Sequence, residues 1–138
     1  MVNLYGVEGI GKTGTLLELI ELIKNDSSFK LTETHKINQT DISLIGNYKG
    51  KMVGVLTADD PVCHAEVAVF LDNCLRHNCK VIFVASRTRG YIYDTELDFA
   101  NTYGYTFIKT SPLCICNSTS QNYKPLHLLF AEMLESVI

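Results

Sequence analysis

The stretch Gly6–Thr13, which reads GVEGIGKT, constrains the fold of this chain more than any other segment. The apolar run Val2–Tyr5 precedes it, and apolar residues at helical spacing begin soon after Lys12. Between a strand and a helix, closely spaced glycines let the backbone turn tightly and direct successive N–H groups inward, beside the positive end of the helix dipole. The stretch therefore predicts an anion-binding loop at the start of the first helix.

The spacing of these residues, G-x-x-x-x-G-K-[ST], resembles the Walker A element of the P-loop NTPase superfamily. The resemblance implies that Lys12 reaches the β- and γ-phosphates of a nucleoside triphosphate and that the Thr13 hydroxyl binds Mg²⁺. It also implies a set of nucleotide-binding residues along the loop, which are Gly6, Glu8, Gly9, Ile10, Gly11, Lys12, Thr13 and Gly14. The alternative interpretation is a glycine-rich turn that caps an ordinary helix.

An acidic turn follows the buried run Met52–Leu56 and forms the second part of the predicted site. In the P-loop superfamily an acid at the end of such a strand, the Walker B acid, helps to hold Mg²⁺. Thr57 stands where a strict pattern would have this acid. Either the strand continues through Ala58 and Asp59 takes the role, or the metal is held without a proper Walker B acid. Asp60 precedes Pro61 and therefore also suits the N-cap of the next helix.

A turn with two arginines follows the central strand Lys80–Ser86 and forms the third part of the predicted site. The guanidinium groups of Arg87 and Arg89 are suited to contact a γ-phosphate or to stack on a base. Together with Lys12 and Asp59, these two residues are the predicted catalytic residues. The alternative interpretation is a solvated turn with two surface arginines.

Five further side chains are weaker candidates. Glu8 should point outward, because bound triphosphate repels a carboxylate, and from there it could contact a second substrate. His64 lies near the start of the second predicted helix, and the Ser86 hydroxyl could sense a phosphate. Tyr91 and Tyr93 could line a nucleobase pocket. For each of these residues an ordinary packed or exposed side chain is the simpler interpretation.

The order of predicted elements indicates an α/β fold with three α/β/α layers, similar to that of P-loop NTPases. The sheet should be mainly parallel, with one antiparallel hairpin strand, and all 138 residues should form a single nucleotide-binding domain. The predicted strands are Val2–Tyr5, Asp41–Asn47, Lys51–Leu56, Lys80–Ser86 and Tyr105–Lys109, and the predicted helices are Lys12–Lys24, Pro61–His77, Tyr93–Tyr103 and Lys124–Ile138. Phe29–Gln39 is either a short strand or a loop, and Leu113–Cys116 either extends the last strand or adds an edge. Ligands of such sheets bind at the carboxyl ends of the strands, where the three turns should meet.

Helical periodicity also predicts which side chains face the core. For the second helix these are Val62, Ala65, Val69, Phe70 and Leu75, and for the closing helix they are Leu126, Leu129, Phe130, Met133, Leu134 and Val137.

Composition narrows the class of protein. The net charge is −3 and the basic residues are scattered, which argues against a nucleic-acid surface. No apolar run reaches the ~18 residues that span a bilayer, and no secretory signal is recognised, so no membrane partner is expected. The five cysteines are an odd number and predict reduced thiols in a cytoplasmic protein. Cys114 and Cys116 are interpreted as core residues, since no second Cys/His pair lies at zinc-finger spacing.

Two functions fit these features. The first is a Mg²⁺-dependent phosphotransferase or hydrolase that uses ATP or GTP; ATP is favoured, because the guanine motif N/T-K-x-D does not occur. The arginine turn resembles the place where small kinases insert a lid. The second is a nucleotide-binding switch without turnover, which the displaced Walker B acid and the lack of an obvious general base favour. A third hypothesis is a degenerate glycine loop that keeps the fold and binds only an adventitious anion. The phosphoryl acceptor or protein partner is not identified by the sequence.

Overall fold

The structure is a computed structural model, and it describes residues 1–112 and 124–138. Six strands and four α-helices lie within these residues. In chain order they are β1 (Val2–Tyr5), α1 (Lys12–Asn25), β2 (Lys30–Lys36), β3 (Ile42–Tyr48), β4 (Lys51–Leu56), α2 (His64–Arg76), β5 (Val81–Ser86), α3 (Tyr91–Tyr103), β6 (Ile108–Thr110) and α4 (Lys124–Glu135). A short 3₁₀ turn, Pro61–Cys63, leads into α2.

The strands form one sheet in the order β2-β3-β4-β5-β1-β6. Strand β3 pairs antiparallel with both of its neighbours, and the other three pairings are parallel. Only β3 therefore runs against the rest. The prediction of an α/β chain with a mainly parallel sheet and one antiparallel hairpin strand is confirmed. The weakly patterned segment before β3 is a strand, β2, at the edge of the sheet.

The hairpin between β3 and β4 closes through a two-residue turn. Tyr48 pairs with Lys51, and the residues between them, Lys49 and Gly50, have φ angles of 50° and 83°. Positive φ at both positions is the requirement of a type I′ turn, whose twist matches that of the flanking strands. This turn fixes the register of β3 against β4, and through it the residues that lie opposite the end of β4.

Side chains of the sheet alternate between two hydrophobic cores. In β5, Ile82 and Val84 pack with apolar residues of α2 and α3, whereas Phe83 and Ala85 pack with those of α1 and α4. All four are fully buried. Successive side chains of a strand point to opposite faces, so two helices cover each face. Residues of the loops at the carboxyl ends of β1, β4 and β5 line one cavity.

The predicted core face of α2 is mostly wrong. Val62 is 82% exposed and Val69 is 58% exposed, and of the predicted set only Phe70 is buried. The residues of this segment that do pack inward are Cys63, Val67, Phe70, Leu71 and Cys74. These five positions recur at helical spacing, but the pattern is visible only when the two cysteines are counted as apolar.

Two of the six residues predicted for the core face of the closing helix are buried, and Leu126 is partly buried. Phe130 and Leu134 are buried, whereas Leu129, Met133 and Val137 are about half exposed or more, at 49%, 54% and 58%. Within the described residues α4 packs mainly against α1, so it needs only a narrow apolar stripe. The regular helix also ends at Glu135, three residues before the predicted end.

Several smaller predictions have clear outcomes. Helix α3 begins two residues earlier than predicted, at Tyr91, and β6 is shorter and later. The buried cysteines Cys63, Cys74 and Cys79 are free thiols. The predictions for Leu113–Cys116 lie outside the described residues. None of the described helices combines the length and the apolar character that crossing a bilayer requires.

Candidate functional site

The three predicted turns meet at a cavity of about 470 Å³ beyond the carboxyl ends of the strands. Its wall is made by the glycine loop and the start of α1 (residues 8–14), by Asn38, Thr40 and Asp41 before β3, by Asp59, Asp60 and Val62 after β4, and by Arg87 and His127. Most of the predicted site residues therefore come together. Arg89 is exposed and does not line the cavity, so the arginine turn contributes one side chain and not two.

The backbone of the glycine loop curves between β1 and α1. The N–H of Gly6 donates to the carbonyl of Ser86 at 3.2 Å, which ties the loop to the end of β5. Gly9 and Gly11 have φ angles of 82° and 95°, in the left-handed region that favours glycine. Gly11 is the N-cap of α1, and no described side chain caps this helix end. The first N–H groups of α1 are therefore left for another acceptor.

Lys12 folds back over the loop. Its Nζ donates to the carbonyl oxygens of Gly6 at 2.6 Å and Val7 at 2.8 Å, and it lies 3.0 Å from the Oδ2 of Asp59. The side chain is only 3% exposed. A buried ammonium group is stable only when its donors are satisfied and its charge is paired. The three contacts meet that need, so a phosphate that binds Lys12 has to replace part of them.

The two aspartates after β4 have different partners. Asp59 pairs with Lys12, whereas Asp60 Oδ1 accepts a hydrogen bond from the N–H of Val62 at 3.0 Å. The N-cap prediction for Asp60 is confirmed. Strand β4 ends at Leu56, so the strand does not continue through to Asp59. Asp59 reaches the site from the irregular turn.

Thr57 occupies the position where a strict Walker B pattern has an acid, and it is fully buried. Its carbonyl accepts a hydrogen bond from the Thr13 hydroxyl at 3.4 Å. Its own hydroxyl donates to Asp41 Oδ1 at 2.9 Å. A second carboxylate, Asp41, is thus held next to the end of β4 by a residue that also contacts Thr13.

The sequence predicts for Asp41 only a place at the start of a strand. The hairpin offered a signal for its role. A two-residue turn that pairs Tyr48 with Lys51 sets Asp41 opposite the residues just after Leu56. Reading the register, and not only the existence of the hairpin, would have brought this carboxylate to the site.

Arg87 bridges two walls of the cavity. Its NH2 atom lies 3.6 Å from Glu8 Oε2 in the glycine loop and 3.6 Å from Asp60 Oδ2 after β4. Glu8 is 81% exposed, as predicted for a carboxylate beside a phosphate site. The Nε of Arg87 is buried and has no hydrogen-bond partner among the described residues. The two contacts of NH2 are 3.6 Å long, which is beyond hydrogen-bond distance, so the guanidinium group keeps donors for a ligand that enters the cavity.

His127, on α4, lines the cavity and is not among the residues predicted from the sequence. Its imidazole packs against two glycines: a Cβ added to Gly11 would lie 2.6 Å from Nε2, and one added to Gly14 would lie 2.5 Å from Nδ1. Burial lowers the pKa of His127 below its ordinary value. No local motif marks this residue, because its contact with the loop spans most of the chain.

The remaining weak candidates do not line the cavity. Ser86 is fully buried, and its hydroxyl accepts from Asn3 Nδ2 at 2.9 Å. The same Nδ2 donates to Glu96 Oε2 at 2.6 Å, and burial raises the pKa of Glu96 well above its ordinary value.

Tyr91 and Tyr93 belong to α3, where Tyr91 is exposed. The Nε2 of His64 lies 3.0 Å from the hydroxyl of Thr95. Neither tyrosine lines the cavity that the described residues form, so their role in a nucleobase pocket stays a prediction.

The cavity wall suits a hard cation. Its oxygen-bearing side chains include the Thr13 hydroxyl and the carboxylates of Asp41 and Asp59. The described residues contain no group of three or more His, Cys, Asp or Glu side chains that could hold a metal ion by themselves. Mg²⁺ commonly binds through few protein ligands, together with water and substrate phosphates. The residues present therefore fit Mg²⁺ that arrives with a phosphate ligand.

Comparisons of the chain with known protein families, with curated proteins and with solved structures found no match. Arguments about function therefore depend on the geometry of the cavity and on the chemistry of its residues.

Proposed function

We propose that this chain binds a nucleoside triphosphate with Mg²⁺ in the cavity, ATP in preference to GTP, and transfers or hydrolyses the terminal phosphoryl group. The observation that carries the proposal is the curved glycine loop with Lys12 folded over it. A simple helix cap explains neither the two left-handed glycines nor a buried lysine that returns to the carbonyls of the loop. A loop that has to wrap a chain of phosphates requires both features.

The roles of the residues follow from their positions. The N–H groups from Gly9 to Gly14 would cradle the phosphates, and Lys12 would contact the β- and γ-phosphates. Thr13 would hold Mg²⁺, which when bound neutralises charge on the phosphate oxygens. Arg87 would add positive charge near the γ-phosphate, since its guanidinium group lines the same cavity. Arg89 has no comparable position and is not included.

The fold that we propose is the three-layer α/β/α arrangement of P-loop NTPases. Two features support it. Helices cover both faces of the sheet, and β1, which leads into the glycine loop, lies inside the sheet between β5 and β6. A ligand site beyond the carboxyl ends of parallel strands is the general rule for such sheets.

A second candidate function is a nucleotide-dependent switch with little or no turnover. The ion pairs at the cavity favour it. Lys12 is paired with Asp59, and Arg87 is paired with Glu8 and Asp60. A bound triphosphate would compete for both cations, and so would change the contacts between the glycine loop and the turn after β4. Such a change of partners is how a nucleotide alters a switch.

The test is a calorimetric titration of MgATP and MgGTP into the wild type, Lys12→Met and Lys24→Ala. Lys24 lies on the same helix and its side chain is half exposed, so its variant is the matched control. Charge-assisted hydrogen bonds contribute ~1.5–3 kcal/mol, so Lys12→Met should bind MgATP at least about tenfold more weakly. Lys24→Ala should bind like the wild type. No binding by a folded wild type contradicts the proposal.

Turnover separates the two candidate functions. Phosphate release, and phosphate transfer to a panel of small acceptors, would be measured with the wild type under saturating MgATP. Turnover that Lys12→Met abolishes supports an enzyme. Tight binding without turnover supports a switch.

A further inference from the structure

We propose that Asp41, and not Asp59, supplies the carboxylate that holds Mg²⁺ beside Thr13. This inference rests on the proposed function and refines its metal site. It replaces the acid expected at the end of β4 with one from the neighbouring antiparallel strand.

The position of Asp41 is the first argument. Thr57 stands at the expected place of the acid, but its hydroxyl donates to Asp41 Oδ1 at 2.9 Å. The carboxylate of Asp41 thus lies one hydrogen-bond length from the side chain of Thr57, which occupies the position of the Walker B acid. The carbonyl of the same threonine accepts from the Thr13 hydroxyl at 3.4 Å. Thr57 therefore contacts both the Thr13 hydroxyl, through its carbonyl, and the Asp41 carboxylate, through its hydroxyl.

The support around Asp41 is the second argument. Asn38 Oδ1 accepts from the N–H groups of Thr40 at 2.8 Å and Asp41 at 2.7 Å. Its Nδ2 donates to Asp41 Oδ2 at 2.8 Å. Both carboxylate oxygens are thus fixed by neutral donors, from Thr57 on one side and Asn38 on the other. Supporting hydrogen bonds of this kind orient a carboxylate before a metal arrives.

Charge is the third argument. The other cavity carboxylates have cationic partners: Asp59 pairs with Lys12, and Glu8 and Asp60 pair with Arg87. Asp41 is only 9% exposed and has no Lys, Arg or His partner within 4.0 Å among the described residues. A nearly buried negative charge beside a polyanion site is unfavourable unless a cation lies between them. Mg²⁺ brought by the nucleotide is such a cation.

Asp59 has a separate task in this account. At 3.0 Å it is the counter-ion that keeps Lys12 over the loop while no phosphate is bound. The two aspartates should therefore respond differently to metal. Asp41 should determine how much Mg²⁺ strengthens nucleotide binding, and Asp59 should determine how tightly nucleotide binds without metal.

The experiment measures ATP affinity by calorimetry in excess Mg²⁺ and in EDTA. The ratio of the two affinities is the metal enhancement. The variants are Asp41→Asn, Asp59→Asn and the control Asp72→Asn, an exposed aspartate on α2. Loss of a supporting carboxylate lowers metal affinity by about 10- to 100-fold in known sites. The enhancement should fall by about that factor in Asp41→Asn and should remain within about twofold of wild type in the other two.

A direct metal readout accompanies the calorimetry. The spectrum of Mn²⁺ in electron paramagnetic resonance would be recorded with ATP and each variant. Asp41→Asn should release Mn²⁺ at ATP concentrations where Asp59→Asn retains it. This readout does not depend on turnover.

A second variant covers the case in which Asp41→Asn does not fold. In the double variant Asn38→Asp with Asp41→Asn, the carboxylate and the amide exchange positions. The new carboxylate at position 38 still accepts from the two backbone N–H groups, and the new amide at position 41 still accepts from Thr57. The net charge is kept, and the only hydrogen bond of the described residues that is lost is the long one from Asn38 Nδ2 to Cys63 Sγ, at 3.8 Å. The carboxylate moves away from Thr57. The metal enhancement should still fall.

The outcomes separate this inference from the proposed function. If the folded wild type binds no ATP under either condition, both fail. If it binds ATP and Lys12→Met does not, while Asp41→Asn and the double variant keep the full metal enhancement, only the inference fails. Loss of the enhancement in Asp59→Asn alone would assign the metal to Asp59 and overturn the inference. Loss in both position-41 variants, with Asp59→Asn unaffected, supports it.

Discussion

The Nζ of Lys12 lies 3.0 Å from the Oδ2 of Asp59, and this ion pair joins the glycine loop to the turn after β4. The lysine is nearly inaccessible to solvent, and two loop carbonyls satisfy its remaining donors. In the proposed function the same ammonium group would contact the β- and γ-phosphates of the nucleotide. A nucleotide that binds as proposed would have to rearrange this pair.

Replacing Asp59 by Asn should have opposite effects on stability and on binding. The buried ammonium group of Lys12 loses its counter-ion, so the free energy of unfolding should fall by about 1–3 kcal/mol. ATP binding in EDTA should become tighter, because Lys12 no longer exchanges a carboxylate for a phosphate. Urea unfolding and calorimetry measure the two effects. Weaker metal-free binding by a folded Asp59→Asn would contradict the role of Asp59 as a competing partner.

Arg87 and Arg89 should differ in their effect on function. Arg87 lines the cavity and has an unpartnered Nε, whereas Arg89 is exposed and lies outside it. Arg87→Ala should lower MgATP affinity or turnover about 10- to 100-fold, the loss expected for one charge-assisted hydrogen bond. Arg89→Ala is the matched control and should stay near wild type. Equal losses in the two variants would mean that the arginines act only through long-range charge.

The stability of the fold should require glycine at position 14, because the imidazole of His127 packs against it. An exposed helical glycine usually gains up to about 1 kcal/mol on replacement by alanine. Here the added methyl group would lie 2.5 Å from Nδ1 of His127, so Gly14→Ala should destabilise the fold by about 1–3 kcal/mol.

The control for this steric argument is a double-mutant cycle with His127→Ala. In that background Gly14→Ala should be neutral or stabilising in urea unfolding, since the clashing ring is gone. The same destabilisation in both backgrounds would show that the imidazole is not the cause.

Glu96 should make stability fall as pH rises. Burial, followed in smaller part by the nearby charge of Asp59, raises its folded-state pKa well above the ordinary value of 4.5, although the hydrogen bond from Asn3 lowers it. The folded state therefore keeps a proton that the unfolded chain releases above that ordinary value. Since the unfolded state binds fewer protons there, the free energy of unfolding decreases from about pH 4.5 upward until the folded pKa is passed.

Glu96→Gln removes this dependence. The variant should be more stable than the wild type at pH 7, and its stability should vary less with pH above 4.5. Urea unfolding of both proteins across this pH range measures the difference. Parallel pH profiles would contradict a neutral Glu96 in the folded state.

Much of the architecture was predictable because it depends on interactions between residues that are close in sequence. The glycine loop, the hairpin turn at Lys49 and Gly50 and the cap at Asp60 each depend on residues that are close in sequence. Strand β5 was predictable because a buried parallel strand is a continuous apolar run. These features made three walls of the cavity predictable, namely the glycine loop, the turn after β4 and the turn after β5.

The parts that could not be predicted depend on contacts between distant residues. His127 reaches the glycine loop from the last helix, and Asp41 reaches Thr57 across a hairpin. The face of α2 was misread because Cys63 and Cys74 pack as apolar residues. Side-chain periodicity shows that a helix is amphipathic, but tertiary packing decides which residues on it are covered.

The most direct test of the central claim is a titration of ¹⁵N-labelled protein with MgATP, observed through its backbone amide resonances. Phosphates that accept from the cavity's main-chain donors should shift the amides of Gly9, Gly11, Lys12, Thr13 and Gly14 most strongly. Resonances of the exposed edge strand β2 should hardly move. A folded protein whose glycine-loop amides do not respond to millimolar MgATP, or whose largest shifts lie elsewhere, would contradict the account.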